Sequence, residues 1–168
     1  MQKISWLDRQ LTFGLPVGML PFYLERMDGT YARLQVKVKG IDESVLSNKL
    51  DGKWSVKQNI GHLAEVDEIS LIRIEEMLNG ISPMTSAVFD NKQDFNAQSI
   101  EDVLKYFLKS RQQSQKRFRS LNEVELTKSS VHPRFKLLMT PVDLAWFQAE
   151  HDDHHLVRIH EILAALSK

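Results

Sequence analysis

A chain of 168 residues with 42% hydrophobic and 26% charged residues has the length and composition of one globular domain, and a chain of this size holds a core without disulfides or a structural metal. Its 22 Lys and Arg balance 22 Asp and Glu, so no net field draws in a nucleic-acid backbone or an anionic membrane. The 0 cysteines exclude disulfide frameworks, thiolate metal sites and a cysteine nucleophile, and with no signal-like segment and no apolar run near the ~18 residues of a membrane span, a cytoplasmic protein is expected.

Four segments carry helical periodicity, and strand signals are nearly absent. The first helix is expected from near residues 19–21, where Pro21 suits a first turn, to about Val38, with Gly40 placed to end it and Gly29 a weak point inside it. The second starts at a Ser55 cap answered three residues on by Gln58, and ends at Asn79-Gly80. The third starts at Ser99, with Asp102 in the third position, and continues to about Leu121. The fourth starts at Thr140-Pro141, with Asp143 in the third position, and runs nearly to the C-terminus. Four long helices in a single domain over residues 1–168 predict an all-α four-helix bundle. The connections are each about 15 to 19 residues, longer than turns between antiparallel neighbours. The stretch 80–98, GISPMTSAVFDNKQDFNAQ, is long enough to run the length of a helix as a crossover and to cover a site.

The six histidines are His62, His132, His151, His154, His155 and His160, four of them within ten residues of the last helix. On a helical wheel, Leu144, Phe147, Ile159, Ile162, Leu163, Ala165 and Leu166 form one apolar sector, and His151 and His155, about 40° apart, lie inside it. His154 falls at its edge and His160 on the opposite side. An i, i+4 histidine pair is a helical way to supply two metal ligands, although alone it is more often surface or hydrogen-bonded core histidine. Burial favours the metal, because four ring nitrogens in an apolar stripe need partners together. On the second helix Leu63, Val66, Ile69, Ile74 and Met77 face inward, with His62 on the border of that sector. Three histidines from two helices, with no thiolate and no fourth inward ligand, describe an open site that leaves positions for water or substrate.

Four stretches resemble the DinB-like (damage-inducible protein B) superfamily and its YfiT-like metal-dependent hydrolases: WLDRQLTFGLPVGMLP with ERMDGTYARL (6–34), WSVKQNIGHLAEVD (54–67), HPRFKLLMT (132–140) and EHDDHHLVRIHEIL (150–163). The resemblance covers nearly the whole chain and implies a bundle ordered up-down-down-up, with a long crossover between helices two and three. It implies a metal held by one histidine of the second helix and an H-x-x-x-H of the fourth, here His62, His151 and His155. Where relatives commonly carry a glutamine this chain has Arg158, which faces the metal side on the wheel and either meets an anionic substrate group or a buried carboxylate, or lays its stem over apolar surface. Asp152 also looks inward, as an acceptor behind a ligand or a partner of a helix cap. Glu65, one turn from His62, is a candidate general base, against the plainer reading of a solvated carboxylate. His132 lies in a loop that can fold over the site.

Imidazole suits Zn, Ni, Cu and Fe, and zinc or nickel is the expected divalent transition metal. The resemblance implies either a hydrolase or an S-transferase using a low-molecular-weight thiol such as bacillithiol, which would have to arrive as a cosubstrate because the chain has no cysteine. The alternative is a non-catalytic metal- or small-ligand-binding stress-response bundle. A small-molecule substrate and a homodimer are expected, without nucleic acid or membrane as partner.

Overall fold

The computed structural model describes residues 3–89 and 93–166. Four long helices, α1 (Leu20–Val38), α3 (Val56–Leu78), α4 (Ile100–Arg119) and α6 (Pro141–Leu166), are joined by segments holding two short helices, α2 (Glu43–Ser47) and α5 (Glu123–Leu126), and a two-residue antiparallel hairpin, β1 (Ser130–Val131) with β2 (Leu138–Met139). The long helices start where their caps predict. Ser55 Oγ accepts from the Gln58 N–H at 3.1 Å while the Gln58 side chain accepts from the Ser55 N–H, and Ser99 Oγ accepts from the Asp102 N–H at 3.1 Å. At α6 the Thr140 hydroxyl accepts from the Asp143 N–H, and Asp143 Oδ2 accepts in return from the Thr140 N–H at 2.9 Å. Such caps contribute about 1 kcal/mol each. The other Asp143 oxygen accepts from the N–H groups of Gly14 and Leu15 at 2.9 Å, which lashes the N-terminal arm across the start of α6. Gly29 does not interrupt α1.

Pairing residues across the helix seams fixes the directions. Lys57 reaches Gln98, Asp67 reaches Arg111 and Glu75 reaches Arg117, so α3 and α4 run parallel. Asp143 reaches Gly14, Glu150 reaches Arg26 and Asp153 reaches Arg33, so α1 and α6 run parallel as well. Across the other two seams the order reverses, with Leu24 and Met27 against Gln115 and Arg111, and Asn59 and Asp67 against His155 and Gln148. The bundle is therefore up-down-down-up, and the segment between α3 and α4 crosses its full length, as its length predicts. Its residues 90–92 lie outside the described residues.

The core is split. One apolar layer centres on Met27, Ile74, Met77, Phe118, Val142 and Leu144, and the other on Leu34, Ile60, Leu63, Phe107, Ile159 and Ile162. Between them each long helix contributes a polar side chain. Arg111 Nε donates to Asp67, its Nη1 to Asp152 Oδ2 at 2.6 Å and to the Met27 carbonyl, and its Nη2 to Asp152 Oδ1 at 2.9 Å. Thr30 donates to Asp152 and Gln148 to Asp67. All three guanidinium nitrogens are used, which is the condition under which a buried charge is tolerated. Burial pushes the Asp67 carboxyl up to about 7 despite the pull of Arg111. This layer corrects one expectation: at mid-helix α3 turns Asp67 and Ser70 to the centre, while Val66 and Ile69 stay half-buried and line a cavity instead. Ala165, in the last turn of α6, is exposed. Among the described residues no helix is long and apolar enough to cross a membrane.

Candidate metal centre

The three histidines singled out by the wheels meet at the α3–α6 seam beside the polar layer. His62, His151 and His155 are all buried, and each offers a ring nitrogen within 4.8 Å of those of the other two. The Nε2 atoms of His151 and His155 stand 3.2 Å apart. Two ligands about 2.0–2.1 Å from one tetrahedral zinc ion stand about 3.3 Å apart, so this edge has the length a shared cation requires. A bridging proton gives a similar distance between two nitrogens, but a proton does not gather a third. With three nitrogens and no thiolate, the donor set fits a borderline divalent ion such as zinc or nickel.

Asn59, one turn before His62, sets the tautomer of His155. Its Nδ2 donates to the Ser55 carbonyl at 2.7 Å and its Oδ1 lies 2.7 Å from His155 Nδ1. The donor role of the amide nitrogen turns the amide oxygen to the imidazole, so Nδ1 carries the proton and the Nε2 lone pair faces the cluster. Burial, reinforced by the neighbouring imidazoles, holds the pKa values of His151 and His155 well below the ordinary value of 6.5. Both rings are therefore neutral at pH 7, the form that binds a metal. Aromatic rings wall the cluster: Trp54 lies 4.6 Å from His62 and Phe89 4.4 Å, centroid to centroid, while Trp6 packs at 5.2 Å edge-on to His151.

A cavity of about 390 Å³ opens on the cluster, lined by His62 and His151 at one end, by Phe89, Phe135 and Phe147, and by Arg73 and His132. Ser86, Ala87 and Phe89 of the crossover and residues 132–135 of the hairpin also line it.

The family model for the DinB superfamily matches residues 26–159, a stretch that includes all three histidines. The chain belongs to the DinB superfamily. Among solved structures it is similar to YfiT from Bacillus subtilis, described as a probable metal-dependent hydrolase with an unusual four-helix bundle topology, at a TM-score of 0.80 and 19% identity over 95% of this chain and 94% of that one. It is also similar to the mycothiol-dependent maleylpyruvate isomerase, at a TM-score of 0.67 and 14% identity over 88% of this chain and 62% of that one. At these identities the likeness speaks for the fold. No curated protein matches.

In this DinB-superfamily chain the other candidate residues are distributed as follows. Glu65 Oε2 lies 3.7 Å from His62 Nδ1, beyond hydrogen-bond distance, with its side chain 20% exposed. Arg158 donates to the Leu50 carbonyl at 3.3 Å and pairs with Glu161 at 3.5 Å. It borders a shallower cavity with Trp54, Asn59, His154 and His155, and it does not line the cavity that holds His62 and His151. Asp152 is neither behind a ligand nor at a cap, because Arg111 and Thr30 take both its oxygens. His154 is half-buried and His160 exposed, and neither belongs to the cluster. Asn59 was missed by sequence reasoning. Its only signal is an amide one helical turn from His62, which does not say what the amide faces.

Proposed function

We propose that this protein is a metal-dependent enzyme acting on a small molecule, with His62, His151 and His155 as ligands of a divalent transition metal and with hydrolysis or transfer of a low-molecular-weight thiol as its reaction. The observation that carries this reading is the convergence of three buried imidazoles, with no fourth protein ligand among the described residues, at the end of a cavity of about 390 Å³, a volume within the usual range for small-molecule sites. A metal in such a site supplies Lewis acidity, lowering the pKa of a water or thiol and stabilising developing negative charge. The chain's own residues do the rest. Asn59 holds His155 in the binding tautomer, and Phe89, Phe135 and Phe147 exclude water and strengthen electrostatic interactions inside the cavity. With no cysteine in the chain, a thiol reaction takes its sulfur from a cosubstrate.

The test is elemental analysis of protein purified without a histidine tag, combined with turnover of a panel of esters and of thiol-plus-electrophile pairs. His151→Ala is expected to lose both metal and turnover while keeping its helical spectrum, because the two apolar layers supply most of the stability; His160→Ala keeps both. Unfolding of His151→Ala like a metal-free zinc finger would make the metal structural and remove the enzyme reading.

A further inference from the structure

At the other end of the same cavity two hydrogen-bond donors face each other with no acceptor for them among the described residues. His132 Nδ1 accepts from the backbone N–H groups of Arg134 at 3.2 Å and Phe135 at 3.3 Å. A nitrogen that accepts carries no proton, so the ring proton of this neutral imidazole sits on Nε2. That Nε2 lies 3.4 Å from Arg73 Nη1, which has only hydrogens to offer. Two N–H groups thus point into one space that calls for an anion.

Arg73 is itself short of partners. It is only 6% exposed, its Nε has no hydrogen-bond partner among the described residues, and its Nη2 makes a long contact of 3.4 Å to the Thr85 carbonyl. Among the described residues no carboxylate lies within ion-pair distance of it. Glu76, one turn along α3, is instead engaged by the Thr85 N–H at 2.9 Å and by the Thr85 hydroxyl. The contrast with Arg111, whose three nitrogens all have acceptors, is direct: among the described residues Arg73 has an acceptor at Nη2 alone, which leaves a buried guanidinium short of partners. Burial depresses the pKa of Arg73 against a smaller upward pull from Glu76, and burial with the nearby guanidinium groups of Arg73 and Arg134 lowers that of His132 to about 4.

We propose that the cavity binds a carboxylate-bearing small molecule, its carboxylate held by Arg73 and His132 and its apolar body lying among Phe89, Phe135 and Phe147 toward the three histidines. This rests on the enzyme reading above and names the class of molecule that site takes, as substrate or thiol cosubstrate. A carboxylate suits the donors because Arg73 Nη1 and the His132 Nε2–H, 3.4 Å apart, stand side by side, one for each carboxylate oxygen.

The experiment titrates the protein as purified, at constant ionic strength, with benzoate, phenylacetate, 3-phenylpropionate and 4-phenylbutyrate, each against its primary amide and against phenyl phosphate. At least one acid is expected to bind tenfold or more tighter than its amide, the usual margin for charge-assisted pairing. Arg73→Gln should remove that preference at unchanged metal content, whereas His151→Ala, which removes the metal, should keep it. No preference in the wild type overturns the proposal. So does a preference that survives Arg73→Gln and vanishes in His151→Ala, since the acid then sits on the metal and the enzyme reading stands without this one. Phenyl phosphate binding tenfold tighter than every acid overturns the carboxylate assignment. Should Arg73→Gln fail to fold, Arg73→Lys keeps the charge without the fixed placement of Nη1 beside His132 and is expected to cut the preference at least threefold; an unchanged preference again overturns it.

Discussion

Replacing Asn59 by alanine deletes the oxygen that meets His155 Nδ1 at 2.7 Å without touching a metal ligand. The imidazole N–H is then buried without its acceptor, which costs about 1–3 kcal/mol when nothing replaces it. Partners that orient a metal-bound histidine are worth about 10- to 100-fold in affinity, or about 1.4–2.7 kcal/mol, so the two scales agree. The surroundings favour the lower end, because Asn59 and His155 also border the shallow outer cavity beside Trp54 and Arg158, from which water can take the vacated place. The expected outcome is that Asn59→Ala weakens zinc binding about tenfold, read by competition with a chromophoric chelator at pH 7.5, with a helical spectrum like that of wild type. Asn59→Asp keeps an acceptor for His155 and loses the donor to the Ser55 and Trp54 carbonyls, so its zinc affinity should exceed that of Asn59→Ala. Wild-type affinity in Asn59→Ala, to within twofold, would refute the reasoning and assign the orientation of His155 to packing against Trp54 and His151.

Two further outcomes follow from the packing and charge around the site. A Cβ at Gly61 would stand 2.5 Å from three carbons of the buried Phe95 ring, so Gly61→Ala is expected to destabilise the fold by about 1–3 kcal/mol; a melting temperature equal to wild type would show that Phe95 moves freely. His132 should titrate near 4 in an NMR pH series, because burial and the nearby guanidinium groups of Arg73 and Arg134 oppose its protonation. Since that value lies below the ordinary 6.5, the stability it contributes is complete above pH 6.5 and is lost as pH falls toward 4; a midpoint at 6 or higher would refute the donor-facing geometry at Arg73.

What the sequence alone determined here is what depends on near neighbours. Caps act over three residues, so Ser55, Ser99 and Thr140 mark helix starts before any fold is known, and the 3.6-residue period turns His151 and His155 to one face and His160 to another. The up-down-down-up order follows from the resemblance, and the length of segment 80–98 permits it by excluding a tight turn. The short helices α2 and α5 and the two-residue strands were not legible, because four or five residues carry no period. Only the tertiary structure decided which inward groups meet. The wheel turns Asp152 inward, but its partner Arg111 lies 41 positions away on α4. Asn59 meets His155 across 96 positions, and Arg73 faces His132 across 59. Those pairings depend on which helices are neighbours and on how a loop folds back, and the second is set by backbone N–H groups that every residue but proline has. A free donor edge is likewise visible only in three dimensions, since it is defined by the acceptors that packing fails to bring near it.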